Sequence, residues 1–77
     1  MESVEEKILY ILKEDLGLKI NSYDDELDID SLEWVDLIMY LEEDFRMEIP
    51  DKDIEKLDTV NKIIAYVTAE TNKLGGS

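Results

Sequence analysis

The stretch Asp30-Ser31-Leu32-Glu33-Trp34-Val35-Asp36-Leu37-Ile38-Met39-Tyr40-Leu41-Glu42-Glu43-Asp44-Phe45 decides the fold of this chain. Aspartate is a strong N-cap, and Glu33 follows it at the spacing of a capping box. A helix over about 31–46 is expected. Leu32, Trp34, Val35, Leu37, Ile38, Met39, Tyr40, Leu41 and Phe45 spread apolar character around most of its circumference. A surface helix normally keeps one stripe. A central place in a small bundle accounts for much of this, and an interaction face for the rest.

Working outward, Ser3-Val4-Glu5-Glu6 is a second capping box, and Val4, Ile8, Ile11 and Leu12 recur at helical spacing up to Leu16-Gly17. Glycine after the last periodic residue is a stop signal, so a helix over about 4–16 is expected. Residues 17–30 then form a loop with aliphatic anchors at Leu18, Ile20 and Leu27. Pro50 restricts Ile49 and opens a short helix over about 51–56. Thr59 caps a last helix, where Val60, Ile63, Ile64 and Val67 give a single stripe to about residue 72. The fold class is all-α: a small up-and-down-type bundle of three long helices plus one short helix. One domain over residues 1–74 is expected, with Gly75-Gly76-Ser77 as a flexible tail.

The chain has 77 residues, no cysteine and no histidine. It can use neither disulfides nor thiolate zinc sites, so its stability rests on packed apolar faces. No apolar run reaches membrane-spanning length and no basic leader precedes an apolar stretch, which points to a soluble, cytoplasmic protein. The net charge is −13, and residues 24–58 hold fifteen acids against three bases. A field concentrated on one segment steers cationic partners and repels nucleic acid.

Calcium would be the obvious ligand for such acidity, but the loop spacing fails. An EF-hand loop started at Asp24 places Ile29 where glycine is needed and Val35 at the twelfth position. Started at Asp28, it places Leu32 fifth and Met39 twelfth. No dedicated metal site is expected. Ser31 has no imidazole to take its proton, so it is not read as a nucleophile, and no catalytic residue is proposed. It reads instead as a hydroxyl to which another enzyme attaches a group.

The whole pattern resembles the acyl carrier protein family. The resemblance is carried by Asp30-Ser31-Leu32-Glu33, Val35-Asp36-Leu37-Ile38-Met39, Leu41-Glu42-Glu43-Asp44-Phe45, Ile49-Pro50-Asp51, Glu55-Lys56-Leu57, Thr59-Val60 and Ile64-Ala65-Tyr66-Val67. It implies that Ser31, flanked by Asp30 and Leu32, carries 4′-phosphopantetheine installed by a phosphopantetheinyl transferase. Acyl groups would ride on that arm as thioesters. Leu32, Glu33, Asp36, Met39, Glu42 and Glu43, extended by Asp51, Asp53 and Glu55, would dock acyltransferases, ketosynthases and related enzymes through their basic patches. The implied role is a freestanding, monomeric carrier in fatty-acid or polyketide-type synthesis. The alternatives are an aminoacyl or peptidyl carrier, and an acidic interaction module that is never modified.

Some positions depart from the family pattern. Asp28 stands where glycine is usual, and the loop before Ser31 is short. Trp34, Tyr40, Ile54 and Ile63 are bulky where smaller or polar residues are usual. If they line the space that an acyl chain would enter, long straight chains are sheltered poorly, which points to a specialised pathway.

Overall fold

The computed structural model describes residues 3–75, with side chains to Lys73. Four helical elements follow in order: α1 (Val4–Tyr10), continued by a π-helical turn (Ile11–Asp15), α2 (Ser31–Phe45), α3 (Asp51–Ile54) and α4 (Val60–Gly75). Local chemistry accounts for most of their boundaries. Ser3 Oγ accepts the Glu6 N–H at 3.1 Å, Asp30 Oδ1 accepts the Glu33 N–H at 2.8 Å, and Thr59 Oγ1 accepts the Lys62 N–H at 3.1 Å. Each satisfies one of the N–H groups that a helix start leaves without an intrahelical partner. In the first of these boxes Glu6 takes the Ser3 hydroxyl at 3.2 Å.

Four boundaries differ from the sequence reading. The first helix does not stay α-helical to Leu16: its last turn widens, and Leu16 N–H reaches back five residues to Ile11 C=O at 3.0 Å. α2 ends at Phe45, because Arg46 turns left-handed at φ 52° and lets Met47 N–H close on Glu42 C=O at 3.1 Å. α3 is shorter than expected, with residues 55 and 56 in a turn. α4 is longer and takes in Gly75, the first residue of the expected tail; residues 76–77 of that tail lie outside the described residues.

One core joins these elements. α1 and its π turn contribute Ile8, Ile11 and Leu12, α2 contributes Leu37, Ile38 and Leu41, and α4 contributes Val60, Ile63 and Val67. Met47, Ile49 and Leu57 seal it from the connections around α3. Burying such a side chain contributes about 1.5–3 kcal/mol, which is how so small a domain offsets its chain entropy. Lys7 adds a contact between α1 and the end of α2, with its ammonium 5.7 Å from the Phe45 ring centre.

The 17–30 loop is tied down, in keeping with its aliphatic anchors. Leu18, Ile20, Tyr23, Leu27 and Ile29 pack against the core from outside. Leu27 N–H donates to Asp58 C=O at 2.8 Å, and Asn61 N–H donates to Tyr23 C=O at 3.1 Å. The Asn61 side chain also donates to the Asp24 carboxylate. The approach to Ser31 is therefore held against the start of α4.

Gly17 and Arg46 share one conformation and predict opposite mutational signs. Gly17 sits at φ 68° with open space where a Cβ would point, so only backbone strain opposes a side chain there. Gly17→Ala is expected to cost about 1–2 kcal/mol, whereas Arg46→Gly is expected to gain about 0.5–1 kcal/mol. Urea unfolding of both variants checks this; a loss of stability in Arg46→Gly would contradict the assignment.

Candidate functional site

Ser31 is the first residue of α2 and its side chain is exposed. No side-chain hydrogen bond engages its hydroxyl among the described residues. The cap directs this outcome: Asp30 spends its carboxylate on the Glu33 N–H and its carbonyl on the Trp34 N–H at 2.9 Å. The N–H groups of Ser31 and Leu32 are left pointing out of the helix start. A phosphate group placed there meets the positive end of the helix dipole.

Beside Ser31 lies an open groove of about 280 Å³. Leu27 and Ile29 of the loop, the cap residue Asp30, Ser31 and Trp34 of α2, and Glu55 and Asp58 from the α3–α4 connection line it. Trp34 is half-buried and, besides lining the groove, packs on the core. Asp58 pairs with Lys62 at 2.9 Å, and the hydrogen bond from that ammonium holds its carboxyl below the usual value. A larger hollow of about 340 Å³ on the loop, from Leu18 to Asp28, does not include Ser31.

Alongside Ser31, α2 shows an apolar stripe. Leu32, Val35 and Met39 are 78%, 55% and 51% exposed, and their spacing of three and four residues puts them on one face. An apolar patch rimmed by charge marks a surface that meets other molecules. Exposed Asp36, Glu43, Asp51 and Glu55 surround it in sequence. Val35 was not among the expected docking residues. The signal for it was the surplus of apolar character around α2 beyond what a core face needs.

The structure separates the expected docking acids into two kinds. Asp36, Glu43, Asp51 and Glu55 are exposed, and Glu33 is half-buried. Glu42 and Asp53 are half-buried and already engaged within the chain. Glu42 Oε2 accepts the Ile49 N–H at 2.9 Å, and Asp53 Oδ2 accepts the Tyr66 hydroxyl at 2.8 Å. Both carboxylates therefore have one oxygen engaged by a partner within the chain. Burial, with the Asp53 hydrogen bond second, pushes the Tyr66 hydroxyl up to about 12. Among the bulky departures, Ile63 is fully buried, while Ile54 and Trp34 are half-buried. Tyr40 is 37% exposed and reaches the surface.

Residues 6–67 match a family model described as the phosphopantetheine attachment site. The chain belongs to that family. It is a phosphopantetheine-carrying carrier protein, and its small all-α fold is consistent with that family. Among the described residues, no helix is long and apolar enough to cross a membrane and no cluster of acids is arranged to hold a metal. The fit for the prosthetic group is favourable at Ser31: a free hydroxyl, outward N–H groups at a helix start, and a groove that begins at the same residue.

The division among the acids has a direct consequence for stability. Glu42→Ala leaves the Ile49 N–H buried without its partner, and the expected cost is about 1–3 kcal/mol. Glu43→Ala, on the exposed side, is expected to stay within about 0.5 kcal/mol. Chemical denaturation of the two variants checks the contrast, and equal effects would refute the internal role of Glu42.

Proposed function

We propose that this carrier is an acyl carrier and that Ser31 is its attachment residue, receiving 4′-phosphopantetheine from a separate Mg²⁺-dependent transferase. The bound group would supply the thiol that this cysteine-free chain lacks, to hold acyl groups as thioesters. The observation that carries the reading is the unengaged Ser31 hydroxyl at a capped helix start, opening onto a groove. The surrounding face supports the choice of partner. Leu32, Val35 and Met39 offer apolar contact, and Glu33, Asp36, Glu43, Asp51 and Glu55 offer charge to enzymes with Lys/Arg patches.

Those enzymes are of the fatty-acid or polyketide-synthesis type, acyltransferases and ketosynthases among them, working in the cytoplasm. Charge pairs at the rim of such contacts raise encounter rate and select partners more than they tighten binding. That suits a protein that must leave each enzyme it visits. Trp34, which lines the groove and packs on the core, and fully buried Ile63 support the finer reading that long straight chains are sheltered poorly. Each methylene kept out of the core forgoes about 0.8 kcal/mol of burial.

Incubation with coenzyme A, Mg²⁺ and a broad-range transferase tests the proposal by intact mass. One phosphopantetheine increment is expected, and none in Ser31→Ala. An unchanged mass for the unsubstituted chain, or an increment that survives Ser31→Ala, would overturn it.

A further inference from the structure

The Ser31 groove has one wall with few anchors. α3 is four residues long, fully buries none of its side chains, and begins at Pro50 without a side-chain cap. So short a helix does not hold its own shape in water. Buried Ile49 precedes it and buried Leu57 follows it. Between those two points Ile54 is only half-buried. Among the described residues, the side-chain hydrogen bond that joins this segment to another helix runs from the Tyr66 hydroxyl of α4 to Asp53 Oδ2 at 2.8 Å. The other Asp53 oxygen faces Lys56 at 3.7 Å, but that lysine lies in the same turn and is largely exposed, so the pair ties α3 to nothing else.

The segment after α3 also has room to move. Glu55 and Asp58 line the Ser31 groove on one side, and with Tyr66 they line a second open hollow, of about 720 Å³, on the other. This stretch is a partition between two open spaces, pinned through Leu57 and, at its end, through Asp58 C=O, which accepts the Leu27 N–H.

We propose that the Tyr66 hydroxyl is a positioning group for the Ser31 groove: by holding Asp53 it seats α3, and with α3 it seats Glu55, the wall that Ser31 and Trp34 share. Removing the hydroxyl leaves the Asp53 carboxylate free to turn to water. α3 then spends more time displaced, the groove widens, and the acids of α3 lose their fixed placement beside α2. The seating of α3 follows from the contacts themselves. Its bearing on modification rests on the reading of Ser31 given above.

Trp34 is the single tryptophan of the chain and lines the groove, so it reports the movement. In the full chain, Tyr66→Phe is expected to raise acrylamide quenching of Trp34 about twofold. Amide exchange at Asp53, Ile54, Lys56 and Leu57 should quicken about tenfold, with the amides of α2 and α4 unchanged. Asp53→Asn keeps an acceptor oxygen for the hydroxyl and should leave both readings where they were, whereas Asp53→Ala should reproduce the effect of Tyr66→Phe. With the transferase, KM for the unmodified Tyr66→Phe chain should rise about threefold while kcat holds. A purely structural role would lower the melting temperature without moving Trp34 quenching or KM. Unchanged quenching, or faster exchange spread evenly over all helices, overturns the proposal. If the unsubstituted chain takes no phosphopantetheine, the Ser31 reading fails, and quenching and exchange still decide the role of Tyr66.

Discussion

The hydrogen bond from the Glu33 N–H to Asp30 Oδ1, 2.8 Å long, determines where α2 begins. Moved one residue on, the helix start would turn Ser31 into the cap and occupy its hydroxyl with a backbone N–H. With Asp30 as the cap, Ser31 becomes the first helical residue, exposed and unengaged, while Leu37, Ile38 and Leu41 fall on the buried face. The loop reinforces the placement. Leu27 is held to Asp58 across the groove, so the chain reaches Asp30 from a fixed direction. One carboxylate therefore sets the register that joins the core face to the presented hydroxyl.

The acids follow the same economy. Residues 24–58 carry most of the negative charge, which the bundle must hold against its own repulsion. Part of that charge acts as an internal acceptor: Asp30 for a helix start, Glu42 for the turn after α2, Asp53 for α4, Asp24 for the loop. Other acids of the segment, Asp36, Glu43, Asp51 and Glu55 among them, have no such duty and are exposed. Fold stability and surface charge thus draw on different residues of one acidic segment.

What could be read without coordinates was local. The caps at Ser3, Asp30 and Thr59 and the stop at Gly17 are chemistry over three residues or fewer, and each stands where its residue type places it. The all-α bundle and the prominence of Ser31 follow from those caps and the apolar periods between them. The widened turn at Ile11–Asp15 has no residue signature of its own. The left-handed Arg46 is dictated by the burial of Met47 and Ile49 just after it, in a place where glycine would have announced the turn. Glu42 and Asp53 resembled their surface neighbours because their partners, Ile49 and Tyr66, lie seven and thirteen residues away. Acidic side chains at helical spacing look alike in sequence; only the packed bundle shows which ones face inward.

The claim on which the rest depends is that the modified atom is Ser31 Oγ. Peptide-level tandem mass spectrometry of the protein recovered from its own cells addresses it directly, because the chain also carries Ser3, Ser22 and Ser77 as competing hydroxyls. The account predicts a phosphopantetheine phosphodiester on the peptide spanning Ser31, with the fragment ions placing it on that residue. Recovery of the group on any other serine, or of a wholly unmodified Ser31 peptide, would contradict it.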